Sequence, residues 1–173
     1  NLALAEARLG NFEAAIEGYR EALILQPDQA DAHTGLSRAL SMLHRHAEAE
    51  AEARLALTLA PDSMEAHSNL ARALQGQGRG SEAEAAIRKA IAQAPDNASL
   101  YANLGNVLED MDKVAEAEAA YRTAIARDPE FSAAHTNLGL LLLLNGAYEE
   151  GWREYDWRWR RDGRQAARPF PQP

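Results

Sequence analysis

The sequence predicts an all-α fold made by stacking copies of one antiparallel helix pair, and three observations carry that reading. Pro27, Pro61, Pro95 and Pro129 stand 34 residues apart. The same residue types recur at fixed offsets from each proline, and no alternating strand pattern is visible in the 173 residues. Twelve residues before each proline lies Ala15, Ala49, Ala83 or Ala117; eight before lies Tyr19, Ala53, Ile87 or Tyr121; five before lies Ala22, Ala56, Ala90 or Ala124. Nine and ten residues past each proline stand the pairs Leu36-Ser37, Leu70-Ala71, Leu104-Gly105 and Leu138-Gly139. Small residues at such positions let two helices cross closely.

The copies run 1–29 (partial), 30–63, 64–97, 98–131 and 132–162, giving an array over 1–162 and a Pro-rich linker or tail over 163–173. The first copy lacks the opening of its first helix, and in the fifth Gly163 stands where the proline would be. Within each copy a turn residue ends the first helix and the proline breaks the second. Gly10, Gly78 and Gly146 suit a left-handed turn without steric cost, whereas His44 and Asp112 at the equivalent sites predict slight strain. A start inside a helix with no initiator Met suggests a piece of a longer polypeptide.

This spacing and column set resembles the tetratricopeptide repeat (TPR) family over residues 1 to about 160. The resemblance implies a right-handed superhelical solenoid whose first helices line a concave face, where extended peptides lie. A solenoid buries apolar surface between neighbouring repeats, so stability should rise with repeat number. A hydrophobic content of 46%, carried largely by Ala and Leu, suits closely packed helices. The net charge of −8 repels a phosphate backbone, which argues against nucleic acid as a partner. The absence of Cys excludes disulfides and thiolate metal sites. The longest apolar run, residues 138–144, is too short to cross a bilayer, so no membrane role and a cytoplasmic location are expected.

Function should sit on the first-helix face. Asn69, Asn103 and Asn137 form one column, with Gly35 in copy two and Asn1 at the start of the series. An amide offers a donor and an acceptor, matching the peptide backbone, so a ladder of them grips a chain whatever its side chains; the alternative is that these amides bridge neighbouring helices. The ladder is similar to the groove asparagines of O-linked N-acetylglucosamine transferase. Replacing it with Ala should then weaken peptide binding and barely move stability. Three residues further on stand Arg38, Arg72 and Asn106, flanked by Thr34, Ser68 and Thr136, which would favour an acidic or hydroxyl-bearing ligand. Alternatively, Arg38 and Arg72 only pair with Asp31 and Glu65, seven residues earlier.

His33, His67 and His135 share a column with Tyr101; helical repeats hold such rings too far apart for one ion, so they read as packing residues within their own repeats. Glu48, Glu50 and Glu52 read as a solvated face. No nucleophile with its base, carboxylate pair, phosphate loop or metal cluster emerges, so no catalytic residue, metal or cofactor is expected and the chain reads as non-enzymatic.

The end of the chain is different material. From Trp152 onward six Arg face three acids, a local charge of +3 that leaves −11 on the remainder. Trp152, Tyr155 and Trp159 would share one helix face and pack on the preceding helix, while Arg158 replaces the small column of Ala22, Ala56, Ala90 and Ala124, so the regular geometry should end there. The segment Gly151-Trp152 to Trp157-Arg158-Trp159, with the Pro-rich residues 168–173, resembles the junction in bacterial proteins where a TPR array meets a glycosyltransferase-like domain. The expected function is therefore a protein–protein interaction module that binds an extended peptide segment, the acceptor-recognition part of a larger glycosyltransferase-like protein. The competing reading is a scaffold or free-standing adaptor that self-associates through exposed repeat ends.

Overall fold

The computed structural model describes residues 2–159; the expected linker over 163–173 lies outside them. The described chain is ten α-helices and a short 3-10 helix, with no strand among the described residues. It forms two compact units, residues 1–95 and residues 96 onward. The first contains α1 (Leu2–Leu9), α2 (Phe12–Leu25), α3 (Ala30–Met42), α4 (His46–Leu59), α5 (Met64–Gly76) and α6 (Gly80–Gln93). The second contains α7 (Ala98–Asp110), α8 (Val114–Arg127), α9 (Ser132–Leu144), α10 (Tyr148–Tyr155) and the 3-10 helix (Asp156–Trp159).

The 34-residue period becomes helices of constant length. First helices α3, α5, α7 and α9 have 13 residues each, and second helices α2, α4, α6 and α8 have 14. Each second helix stops two residues short of its proline, because the ring disfavours helical geometry at the residue before it; Ala60, for example, sits at φ −137° and ψ 83°. Each inner turn closes with a bond from the residue after the turn site to the carbonyl five residues back: Arg45 to Leu40, Arg79 to Leu74, Lys113 to Leu108 and Ala147 to Leu142. Those bonds require a left-handed residue between, and Gly10, Gly78 and Gly146 supply it. His44 (φ 56°) and Asp112 (φ 57°) adopt the same conformation with a side chain attached, as their place in the period predicts.

The core follows the columns. Ala15, Ala49, Ala83 and Ala117 have no solvent exposure, and nor do Ala53, Ile87 and Tyr121. Leu36, Leu70, Leu104 and Leu138 are buried with their small neighbours. In the second unit two backbones meet directly: a Cβ added at Gly139 would lie 2.4 Å from the backbone nitrogen of Tyr155.

The end of the array departs from expectation in one respect. Trp152, Tyr155 and Trp159 do not form a single packed stripe, since α10 ends at Tyr155 and the chain tightens to 3-10 geometry before Trp159. Trp152 stays exposed, edge-on to Tyr155, and the ring that packs on the preceding helix is Trp157, stacked on His135 at 4.0 Å. Arg158, in the small-residue column, lies over the Tyr155 and Trp159 rings and donates to the Tyr155 carbonyl, so α10 has only 8 residues and the regular pair ends there.

Replacing Ala83 or Ala117 by Leu should overpack a fully closed crossing and cost about 1 to 3 kcal/mol in chemical denaturation; a neutral substitution would mean the columns do not mark helix contacts. At the left-handed turn His44→Gly should stabilise the chain by about 0.5 to 1 kcal/mol, because removing Cβ strain outweighs the added chain entropy.

Candidate functional site

The nine expected site residues fall five in the first unit and four in the second, and their surroundings differ. In the first unit Thr34 and Arg38 lie on α3, and Ser68, Asn69 and Arg72 on α5. Asn69 is buried, and its Nδ2 donates to the backbone carbonyl of Thr34, 3.0 Å away in the preceding repeat. The Thr34 hydroxyl donates back to the Ala30 carbonyl. Asn69 therefore bridges neighbouring repeats, which gives a reason to expect that its removal costs stability. Ser68 is half-buried beside it.

Gly35 breaks the amide ladder for a reason the column alone does not show. A Cβ there would meet the Tyr19 ring at 2.4 Å, so the phenol from α2 fills the space that Asn occupies in later copies. Tyr19 is a site residue that sequence reasoning missed, and the glycine in an asparagine column was the available signal. Burial raises the Tyr19 hydroxyl above its ordinary value, against the opposing pull of the Arg38 and Arg8 guanidiniums.

Arg38 and Arg72 form no ion pair with Asp31 or Glu65. Among the described residues, Arg8, Arg38 and Arg72 are the arginines without a carboxylate partner; Arg20, Arg45, Arg54, Arg79, Arg88, Arg122, Arg127, Arg153 and Arg158 all have one. Arg72 is half-buried, its Nη1 directed at the Met42 sulfur at 3.8 Å. Burial, and then the like charge of Arg38, hold its guanidinium below the usual value. Three cations thus gather around Tyr19 and Arg72 with no fixed counter-charge, an arrangement that gains from any anion brought to it.

The second unit has no such surplus. Asn137 Nδ2 donates to Asn106 Oδ1 at 2.9 Å, and the same oxygen accepts from the Tyr121 hydroxyl at 2.7 Å. That hydroxyl also lies 2.8 Å from Glu109 Oε2; burial and this carboxylate push it far above the ordinary phenol range. Thr136 donates to the Ser132 carbonyl, and Asn103 is half-buried on α7. Asn106 and Asn137 are thus tied into a neutral-to-acidic network in place of a cationic one.

The histidine column packs as expected. Nε2 of His33, His67 and His135 contacts the carbonyls of Pro27, Pro61 and Pro129 at 2.9, 3.0 and 3.0 Å. Of the three glutamates on α4, Glu48 is exposed as expected, while Glu50 and Glu52 correct the expectation of a solvated face. Glu52 is half-buried against His33 Nδ1 at 2.6 Å, Glu50 binds Arg54, Arg79 and Gln77, and Glu48 joins Arg45 and Arg20. No described helix is long and apolar enough to cross a membrane.

Two family models, both described as tetratricopeptide repeat, match the chain, one over residues 1–64 and 103–156 and the other over 44–108. No curated protein matches the sequence. Among solved structures the chain is similar to a thermophilic TPR protein of Thermus thermophilus, TTC0263, with 21% identity over 93% of this chain and 88% of that one, at a TM-score of 0.82. It is similar to PilW, a type IV pilus biogenesis factor, with 25% identity, 91% and 74% coverage and a TM-score of 0.81. It is also similar to YrrB, a TPR protein with an unusual peptide-binding site, with 19% identity, 92% and 82% coverage and a TM-score of 0.66. The likenesses to TTC0263 and YrrB carry the fold alone.

Asn69→Ala should cost about 0.5 to 1.5 kcal/mol of stability, since the bond from the buried amide across to the preceding repeat is lost, while Asn103→Ala, for which no side-chain bond is seen among the described residues, should cost much less. Equal losses in urea denaturation would remove the distinction between the two amides.

Proposed function

Because the chain belongs to the tetratricopeptide repeat family of protein–protein interaction modules, we propose that it binds an extended protein segment carrying acidic side chains. The segment lies along the first-helix face of the first unit. The observation that carries this is the cluster of unpaired guanidiniums, Arg8, Arg38 and Arg72, in a chain of net charge −8 whose other described arginines are paired. Leaving like charges together unneutralised costs stability, and a bound carboxylate reverses that cost. Asn69, Thr34 and Ser68 frame the cations; in the second unit, taken by itself, Asn103, Asn106, Thr136 and Asn137 offer only polar, uncharged groups. Specificity for charge thus belongs to the first unit.

A finer reading is that this module presents a protein acceptor to a glycosyltransferase-like domain. Its support is the short α10 and the aromatic 3-10 turn, whose residues resemble such a junction. A second reading is self-association, favoured by the exposed Leu2, Leu9, Ile24 and Leu25 on α1 and α2. Sedimentation over a range of concentrations tests it; a strictly monomeric chain counts against it.

Titration of a fluorescent Glu-rich peptide tests the main reading. Arg38→Gln with Arg72→Gln should weaken binding by about 1 to 3 kcal/mol and flatten its dependence on salt. Equal affinity for a Gln-for-Glu peptide, or an unchanged double variant, would remove the acidic segment from the account.

A further inference from the structure

The histidine column pairs with a second column, 19 residues later, that follows the same period: Glu52, Ala86, Ala120 and Glu154. Where both members are polar the pair closes. His33 Nδ1 lies 2.6 Å from Glu52 Oε2, and His135 Nδ1 lies 2.5 Å from Glu154 Oε2. In the copy over 98–131 both members are changed, to Tyr101 and Ala120. In the copy over 64–97 only one is. His67 remains, 8% exposed, with Nε2 on the Pro61 carbonyl, but Ala86 stands where the carboxylate would be and Nδ1 has no partner. Beside it lies a pocket of about 660 Å³ lined by residues of α4, α5 and α6, among them His67, Ala85, Ala86 and Lys89.

Lys89 extends the comparison. Its counterpart in the last copy is Trp157, the ring that covers His135. The copy over 64–97 therefore lacks both the carboxylate and the aromatic cover, and has a cation at the position of the cover. Among the described residues no carboxylate pairs with Lys89, whereas Arg54 at the rim is held by Glu50 and approached by Glu82, and Asp62 accepts from Gln93. The groups facing the imidazole are Lys89, which opposes its protonation, and Asp62, which favours it.

We propose that this pocket is a second binding site, which takes a glutamate side chain of a partner polypeptide into the place that Glu52 and Glu154 fill in the other copies. The Pro61 carbonyl fixes the Nε2 proton, so a neutral His67 presents a lone pair at Nδ1. Binding a carboxylate there requires one proton from solvent onto Nδ1, and the resulting imidazolium donates to one carboxylate oxygen while the Lys89 ammonium neutralises the other. Unliganded, burial holds His67 below its ordinary value and it stays neutral; the carboxylate reverses that balance. Binding is thus coupled to proton uptake and strengthens as the pH falls from the raised value of the bound ring to the depressed value of the free one. The site is separate from the Arg38 and Arg72 cluster, so the two succeed or fail independently.

The test is NMR titration of the His67 ring in the intact chain with three probes, the blocked tripeptides Ac-Gly-Glu-Gly-NH2 and Ac-Gly-Gln-Gly-NH2 and sodium acetate. The expected result is an upward shift of the His67 pKa with the Glu peptide alone, retained in the Arg38→Gln, Arg72→Gln double variant and weakened about tenfold by Lys89→Gln. Ala86→Glu should raise the His67 pKa without ligand and abolish the response to peptide. No shift with the Glu peptide, or an Ala86→Glu chain that still binds it, overturns the site. Acetate acting as strongly as the peptide overturns the polypeptide as its occupant, and a shift with the Gln peptide overturns the need for a carboxylate.

Discussion

Everything in this chain depends on helices approaching closely enough that only Ala or Gly fits between them. Ala15, Ala49, Ala83 and Ala117 are completely closed off from solvent, and at Gly139 even a methyl group would collide with the Tyr155 backbone. Such contacts leave no slack. The crossing fixes where each helix lies, the left-handed turn fixes how the next one starts, and the proline fixes where it stops. Larger residues are then added around that frame, so Tyr19 and Tyr121 occupy equivalent core positions yet reach different neighbours. Tyr19 fills the space over Gly35, whereas Tyr121 lies over Gly105 with its hydroxyl on Asn106 and Glu109.

The repeated frame turns small substitutions into local chemistry. The proline carbonyl holds a histidine ring in three of the copies, which fixes the direction in which the other ring nitrogen points. What that nitrogen meets is decided by a single residue on the paired helix: a carboxylate in two copies and nothing in the copy over 64–97. The same logic separates the two units. Arginines on equivalent first-helix positions give the first unit a cluster of unpaired cations, while Asn106 at that position ties into the Tyr121 and Glu109 network in the second. A repeat protein of this kind carries specificity in departures from its own consensus.

Much of the fold was legible before any coordinates, because a 34-residue period leaves few ways to arrange helices. The alternation of helices, the turn residues including His44 and Asp112, the closed alanine columns and the packing role of the histidines all follow from spacing. The candidate site was legible only in part. Arg38, Arg72 and the asparagines stood out as a column, but whether Asn69 faces a ligand or its neighbour depends on the carbonyl of Thr34, a backbone atom to which no sequence pattern points. The Glu52 partnership was missed for a related reason: a helical wheel places Glu48, Glu50 and Glu52 around a surface without saying that His33 lies under one of them. Trp157 was hidden by the switch to 3-10 geometry after Tyr155, which rotates every later side chain away from its helical position.

The elements and their order follow from the residues alone, since period, proline and small residues act through local backbone geometry and contacts within and between adjacent copies. Which polar groups are satisfied is settled by packing in three dimensions. That question depends on distances between groups 19 to 35 residues apart, where a shift of about an ångström makes or breaks a hydrogen bond. Whether His67 is paired and whether Arg72 has a counter-charge are questions of that kind, and both proposed binding sites rest on them.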